Sequence, residues 1–415
     1  MKGAHKMEKL LSEANRCLKC KKPLCQQHCP INTAVPEAIT LFEEGKLQEA
    51  GELLFNNNPL SAICAIVCPH EDQCKGNCIR GIKGEPVPFC EIEAYISAAY
   101  LEGLTTRKPA PNGKRVAVIG SGPAGITAAI LLAQKGYAVT MFEMRNRIGG
   151  VLSYGIPEFR LPRVLVQNLE KNLVQLGVSI KYNTLVGPVI TLDKLFNDGY
   201  DAAFIGTGVW NPKTLNIKGE TLGHSHYAID YLKNPTKYQL GKKVCVIGAG
   251  NVAMDAARSA KYYGSEEVHI CYRRGEEDMT ATKAEIHEAK EEGIQFTLYK
   301  SPVEITDEGV IFADTRKVTL EDGSTKLETI PGSEKLFPCN SVVIAVSQAP
   351  KNNIVAGTTG LETNRGLLVT DEDGHTTREG VFACGDVVSG ARTVIEAVVN
   401  AKRVVGSIHE YLQNA

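Results

Sequence analysis

The chain has 415 residues, 43% hydrophobic and 22% charged, the composition of a globular protein with room for two or three domains. Its 46 Lys and Arg nearly cancel 47 Asp and Glu, so no overall field draws it to nucleic acid or to an anionic membrane. No apolar run reaches the roughly 18 residues that span a bilayer, and the opening MKGAHKMEKLLSEANR lacks the continuous apolar core of a secretion signal, so a cytoplasmic protein is expected.

Residues 1–108 form a cysteine-rich block in which segments such as VPEAITLFEEGKLQEAGELLF carry the three- and four-residue apolar spacing of helices. Nine of the 13 cysteines lie in the first 90 residues. The first run, Cys17, Cys20, Cys25 and Cys29, reads C-x2-C-x4-C-x3-C-P; the second, Cys64, Cys68, Cys74 and Cys78, reads C-x3-C-P-x5-C-x3-C. Structural zinc favours paired CxxC knuckles or added histidines, whereas a multi-cysteine run closing on Cys-Pro is the pattern of [4Fe-4S] proteins, in which that last cysteine ligates the other cluster. Counting gives eight cysteines for two clusters and does not fix their pairing. His28 and His70 stand beside cysteines and are read as neighbours rather than ligands. The other four cysteines, Cys245, Cys271, Cys339 and Cys384, sit singly in apolar runs and read as small buried hydrophobes.

After a Pro- and Gly-containing linker at 105–114, residues 115–142 read strand, glycine turn, helix, strand, the mononucleotide-binding unit. In Gly120-Ser121-Gly122-Pro123-Ala124-Gly125 the first glycine permits the tight turn, the second lets backbone approach a pyrophosphate, and the third lets the helix pack on the strand. Glu143 ends the second strand, where a carboxylate accepts from both ribose hydroxyls and repels a 2′-phosphate. This half therefore suits FAD or NAD.

A second copy begins at 243, with the turn Gly248-Ala249-Gly250-Asn251-Val252-Ala253. Its second strand ends in Tyr272-Arg273-Arg274, and paired guanidinium groups there suit a 2′-phosphate, which favours NADP(H) over NAD(H). A flavin and a nicotinamide in one chain imply hydride transfer between them. That chemistry needs no acid, base or nucleophile, so no catalytic side chain is expected; the clusters, in turn, gain a source of electrons. The charge run EAKEEG at 288–293 reads as a solvated helix face, and Trp210 as packing near a domain crossing.

The order of cysteine block, GSGPAG, GGVLSYGIPEFRLP, GAGNVAMDAAR, YRR and VFACGDVVSG resembles the small subunit of glutamate synthase. It is equally similar to the N-terminal half of dihydropyrimidine dehydrogenase, to the bacterial flavin subunit of that enzyme, and to the large subunit of NADH-dependent ferredoxin:NADP reductase. The resemblance implies an α+β multidomain fold: a helical domain with two [4Fe-4S] clusters over 1–108, an FAD domain in two parts, 113–208 and 346–415, and an inserted NAD(P)H domain over 209–345. It implies one cluster on Cys17, Cys20, Cys25 and Cys78 and the other on Cys29, Cys68, Cys74 and Glu93, with Cys64 and Cys90 as rivals for the last place. For FAD it implies Gly120, Gly122, Pro123, Ala124, Gly125, Glu143, Gly150, Arg160, Thr207, Gly208, Gly385, Asp386, Thr393 and Val394; for NADP, Gly248, Gly250, Asn251, Val252, Arg273 and Arg274.

The function so implied is electron input. A hydride passes from NAD(P)H to FAD, and single electrons pass through two clusters to a partner subunit that holds the terminal substrate. A dihydropyrimidine dehydrogenase or an electron-bifurcating ferredoxin:NADP reductase is the alternative assembly, and a zinc-stabilised docking module is the non-enzymatic one. A thioredoxin-reductase-like chemistry is disfavoured, because the only CxxC, Cys17–Cys20, lies inside the cysteine run.

Overall fold

The computed structural model describes residues 2–320 and 324–414. The chain divides into two compact units, one of residues 1–153, 158–209 and 350–415, the other of residues 154–157 and 210–349.

The first unit begins with the helices Lys2–Ala14, Leu24–Gln27, Val35–Glu43, Leu47–Asn57, Ser61–Val67 and Phe89–Gly103. The segment that reads as one long amphipathic stretch breaks at Gly45, whose φ of +74° a side chain rarely adopts. Both resulting helices turn their apolar faces inward: Ile39, Phe42 and Leu54 pack with Ile92 and Ile96 of Phe89–Gly103 in a shared core. Burying one such side chain contributes about 1.5–3 kcal/mol, so this small domain depends on each of them.

Residues 115 onward form a five-stranded parallel sheet, ordered Val381–Ala383, Ala202–Ile205, Arg115–Ile119, Ala138–Phe142, Ser179–Lys181. The strand before the first glycine turn is central, and residues 116–119 are buried, as its near-continuous apolar sequence requires. Its helix, Pro123–Gln134, is apolar nearly all round and is covered by the long C-terminal helix Val394–Asn414.

The second unit repeats this plan. Its parallel sheet runs Ser225–Tyr227, Ser341–Ile344, Lys243–Ile247, Glu267–Tyr272, Gln295–Leu298, again with the glycine-turn strand central. An antiparallel sheet of Lys300–Thr306, Gly309–Thr319, Thr325–Thr329 and Lys335–Pro338 is added to it. The charged residues of the EAKEEG run are exposed, as expected of a solvated helix face, and two of them, Glu288 and Glu292, also hold the buried Arg258, each at 2.6 Å, because a guanidinium under a helix needs charged partners. Among the described residues no helix is long and apolar enough to cross a membrane.

Candidate functional site

The two glycine turns are built alike. Gly120 N donates to Phe142 O at 2.9 Å and Gly248 N to Cys271 O at 3.0 Å, tying each turn to the second strand of its sheet. A Cβ on Gly120 would stand 2.6 Å from Gly206 O, and one on Gly248 2.3 Å from Ala345 O, so both positions admit only glycine. Gly125 would meet Gly120 O at 2.0 Å, which is the close helix–strand approach expected of the third glycine. Gly122 and Gly250 are extended N-caps, and the helices begin at Pro123, which has no amide hydrogen to leave unpaired, and at Asn251, so each turn leads into a helix N-terminus of the kind that receives a phosphate.

Around the first turn the fold gathers residues far apart in the chain. Glu143 is buried; its carboxylate accepts from Ser121 N at 3.2 Å, from the Ser121 hydroxyl, and from Arg145 N at 2.8 Å. Gly150, at φ +53°, brings its backbone against Gly122. Thr207 and Gly208, at φ +67°, follow the strand Ala202–Ile205, and Arg160 lies in the turn before Arg163–Gln175. Gly385, at φ +75°, would place a Cβ 3.2 Å from Ala124 Cβ, so the C-terminal segment reaches the same turn.

Asp386 begins the short helix after Gly385, and burial raises its carboxyl to about 6, opposed by the Arg392 amide it accepts from at 3.2 Å. Thr393 caps the helix that begins at Val394: its amide and hydroxyl donate to Glu396 Oε2 at 2.9 and 2.6 Å, while Glu396 N donates back to Thr393 Oγ1 at 3.3 Å. Turn, buried carboxylate and capped helix N-terminus fit the pyrophosphate, hydroxyls and ring of a flavin dinucleotide.

In the second unit, Asn251 Oδ1 accepts Thr282 N at 3.0 Å and Ala249 O accepts the amides of Thr280 and Ala281, so the EDMTA segment folds over the turn. Val252 follows in the helix Asn251–Tyr262. Arg273 and Arg274 leave the end of Glu267–Tyr272 exposed, their carbonyls held by Thr315 Oγ1 and Tyr299 N while their side chains face solvent.

The cysteines form two groups. Cys17, Cys20, Cys25 and Cys78 line one cavity of ≈ 340 Å³, counted to its open mouth, with Leu18, Leu24 and Ile79. Burial pushes Cys25 up to about 11, with the Cys78, Cys17 and Cys20 thiols adding to it. Cys74 is buried and Cys68 half-buried near Glu93, and both thiols are pushed well up, Cys68 by its contact with Cys64 and by desolvation, Cys74 by desolvation and then by Glu93, Cys90 and Cys29. Burial alone raises Glu93 to about 8. A carboxylate so desolvated, among thiols that must lose protons to bind metal, fits a site completed by cationic iron. Both Cys64 and Cys90 lie beside this second group; His28 and His70 are turned to the carbonyls of Leu24 and Cys64. Among the described residues no three His, Cys, Asp or Glu side chains converge as around a single ion.

Sequence reasoning did not single out Ser121, Thr33, Asn57 or Lys402. Ser121 sits inside the glycine turn and could have been found there; Asn57 and Lys402 are 345 positions apart and carry no motif.

Comparison with known proteins identifies the family of each part of the chain. Residues 114–403 match the pyridine nucleotide-disulphide oxidoreductase family, and residues 1–103 match dihydropyrimidine dehydrogenase domain II, 4Fe-4S cluster. The chain is 32% identical to the glutamate synthase [NADPH] small chain of Halomonas elongata, over 98% of this chain and 92% of that one. It is 33% identical to the NADP(+)-dependent formate dehydrogenase subunit beta of Moorella thermoacetica, over 94% of this chain and 60% of that one. The solved FprA from Mycobacterium tuberculosis in complex with NADPH superposes with a TM-score of 0.62 at 21% identity, covering 74% of this chain and 85% of that one, a likeness of fold. The chain therefore belongs to the glutamate synthase small-chain family, and is an oxidoreductase that uses FAD and [4Fe-4S] clusters.

Proposed function

We propose that this chain is an electron-input subunit: it takes hydride from NADPH in the unit of residues 210–349 and delivers single electrons to a partner subunit through its N-terminal helical domain. FAD and the clusters, when bound, supply the conversion of a two-electron donor into one-electron steps. The residues of this chain bind, orient and insulate.

In this reading Gly120, Gly122, Pro123, Ala124, Gly125 and Gly150 cradle the flavin pyrophosphate. Glu143 holds the ribose, Asp386 the ribitol side, and the helix start at Thr393 and Val394 faces the ring, with Arg160, Thr207, Gly208 and Gly385 completing the site. Gly248, Gly250, Asn251 and Val252 receive the nicotinamide dinucleotide, and Arg273 and Arg274 the 2′-phosphate. Relatives named for NADPH or NADP(+) support that choice. Cys17, Cys20, Cys25 and Cys78 hold one cluster, and Cys29, Cys68, Cys74 and Glu93 the other. The divisions at 108, 113, 208, 209, 345 and 346 follow from this reading as the edges of the cluster, flavin and nucleotide domains.

The observation that carries the proposal is the placement of the two cysteine groups. The helix Ser61–Val67, which leads into Cys68, packs against Val394–Asn414 of the flavin fold, whereas the Cys17 group opens to the surface. Those contacts support the order flavin, second group, first group, partner. Around the outer group Leu18 and Ile82 are 56% and 74% exposed, and Lys21, Lys22, Arg80 and Lys83 are exposed beside them. An apolar centre with a basic rim suits a docking partner with an acidic rim.

Anaerobic addition of NADPH to the isolated chain, followed by the flavin band and by low-temperature electron paramagnetic resonance, tests this. Bleaching of the flavin together with the appearance of cluster signals is expected; a chain holding zinc in place of iron would sink it. The relative from M. thermoacetica favours a second reading of the partner, since a similar body there belongs to a formate dehydrogenase. Which protein co-purifies under anaerobic conditions separates the two.

A further inference from the structure

Lys402 lies on the helix Val394–Asn414 of the flavin fold, and its ammonium donates to Asn57 O at 2.5 Å and to Asn57 Oδ1 at 3.3 Å. Asn57 is the last residue of the helix Leu47–Asn57, so the cation stands where the helix leaves carbonyls unpaired and its dipole is negative. The Asn57 amide in turn donates from Nδ2 to Ile31 O at 3.2 Å and to Thr33 Oγ1 at 3.5 Å. Thr33 is buried, and its hydroxyl lies 3.3 Å from Cys29 Sγ. Because the Thr33 oxygen accepts from Asn57 and a ligating cysteine carries no proton, the Thr33 hydrogen is the one that points at sulfur.

Every link of this chain therefore has its positive end toward Cys29, and hydrogen bonds in series polarise one another. A hydrogen bond to a cluster thiolate withdraws electron density from it and favours the reduced state. We propose that Lys402, acting through Asn57 and Thr33, is a positioning residue that raises the reduction potential of the cluster held by Cys29, on the side that faces the flavin fold. The inference rests on the assignment of Cys29 as a ligand. Its reach is specific, since Cys17, Cys20, Cys25 and Cys78 lie outside the chain of bonds.

The test is a potentiometric titration of the complete protein with both cluster signals followed by electron paramagnetic resonance, in wild type, Lys402→Met, Lys402→Arg and Thr33→Val. Lys402→Met and Thr33→Val should lower the midpoint of one cluster and leave the other in place, while Lys402→Arg, which keeps the charge, should stay near wild type. A Lys402 that merely clamps two helices would lower thermal stability without moving a potential. Unmoved midpoints in Lys402→Met, or an equal shift of both clusters, overturn the proposal. If Thr33→Val does not fold, the Met and Arg pair at 402 decides it alone. Wild-type protein without iron would instead remove the functional reading beneath it, which is a different result.

Discussion

A Cβ on Gly150 would stand 2.8 Å from the Gly122 Cα, and Gly150 itself holds φ +53°. The second glycine of the first turn is thus pressed from behind by a residue far along the chain. Gly150→Ala should displace that turn and add about 1–2 kcal/mol of backbone strain. We expect flavin affinity to fall roughly tenfold or more, read as substoichiometric absorbance near 450 nm in purified protein with iron content unchanged. Full flavin occupancy in the variant would contradict the cradle.

Arg273 and Arg274 are the only basic pair at the end of Glu267–Tyr272 and are exposed. Replacing both by Ala should raise KM for NADPH roughly 10- to 100-fold, the worth of one or two charge-assisted contacts to phosphate, and leave KM for NADH nearly unchanged. Steady-state dye reduction with the two nucleotides measures it. Equal losses for both would mean that the arginines support the fold or the shared pyrophosphate.

Glu93 is 7% exposed, and burial is the cause of its raised pKa. If it completes the second cluster site, Glu93→Ala should cut bound iron from about eight to about four atoms per chain, while Cys64→Ala and Cys90→Ala retain both clusters. Iron analysis and the loss of one paramagnetic signal report this. The reverse pattern, iron lost in Cys64→Ala and kept in Glu93→Ala, would give the place to the cysteine.

Asp386 makes the stability of the flavin-free protein depend on pH. Its folded pKa, about 6, lies above the ordinary value of 3.8 because burial disfavours the charge. The native state thus holds a proton that the unfolded chain has lost, and that stability, complete below pH 4, disappears as pH rises through 6. Between pH 5 and 7 the loss is about 1 kcal/mol. The fall in urea midpoint between the two pH values should be larger in wild type than in Asp386→Asn by that amount, the remainder coming from other buried carboxyls such as Glu93.

Local chemistry made much of the molecule legible. A glycine turn between an apolar strand and an Ala-rich helix needs only neighbouring residues, so Gly120–Gly125 and Gly248–Ala253 could be read directly, and both fold as nearly identical units. Cys-Pro runs likewise pointed to clusters. The break at Gly45 was less visible, because the apolar period continues on either side of it.

What spacing could not say was which thiols share a cluster. Cys78 joins the Cys17 group while Cys74, four residues earlier, turns to Glu93, since the intervening chain curls through a tight turn around His70 and Gln73. The partition between Glu93, Cys64 and Cys90 and the bonds from Lys402 to Cys29 are likewise tertiary. Residue types and short-range spacing determined that the chain binds two dinucleotides and metal clusters, because those signals lie within a turn or two of backbone. Which donors meet, and how a cation on the last helix reaches a sulfur near the start, was decided only by packing, because a hydrogen bond between positions 57 and 402 leaves no period in the sequence.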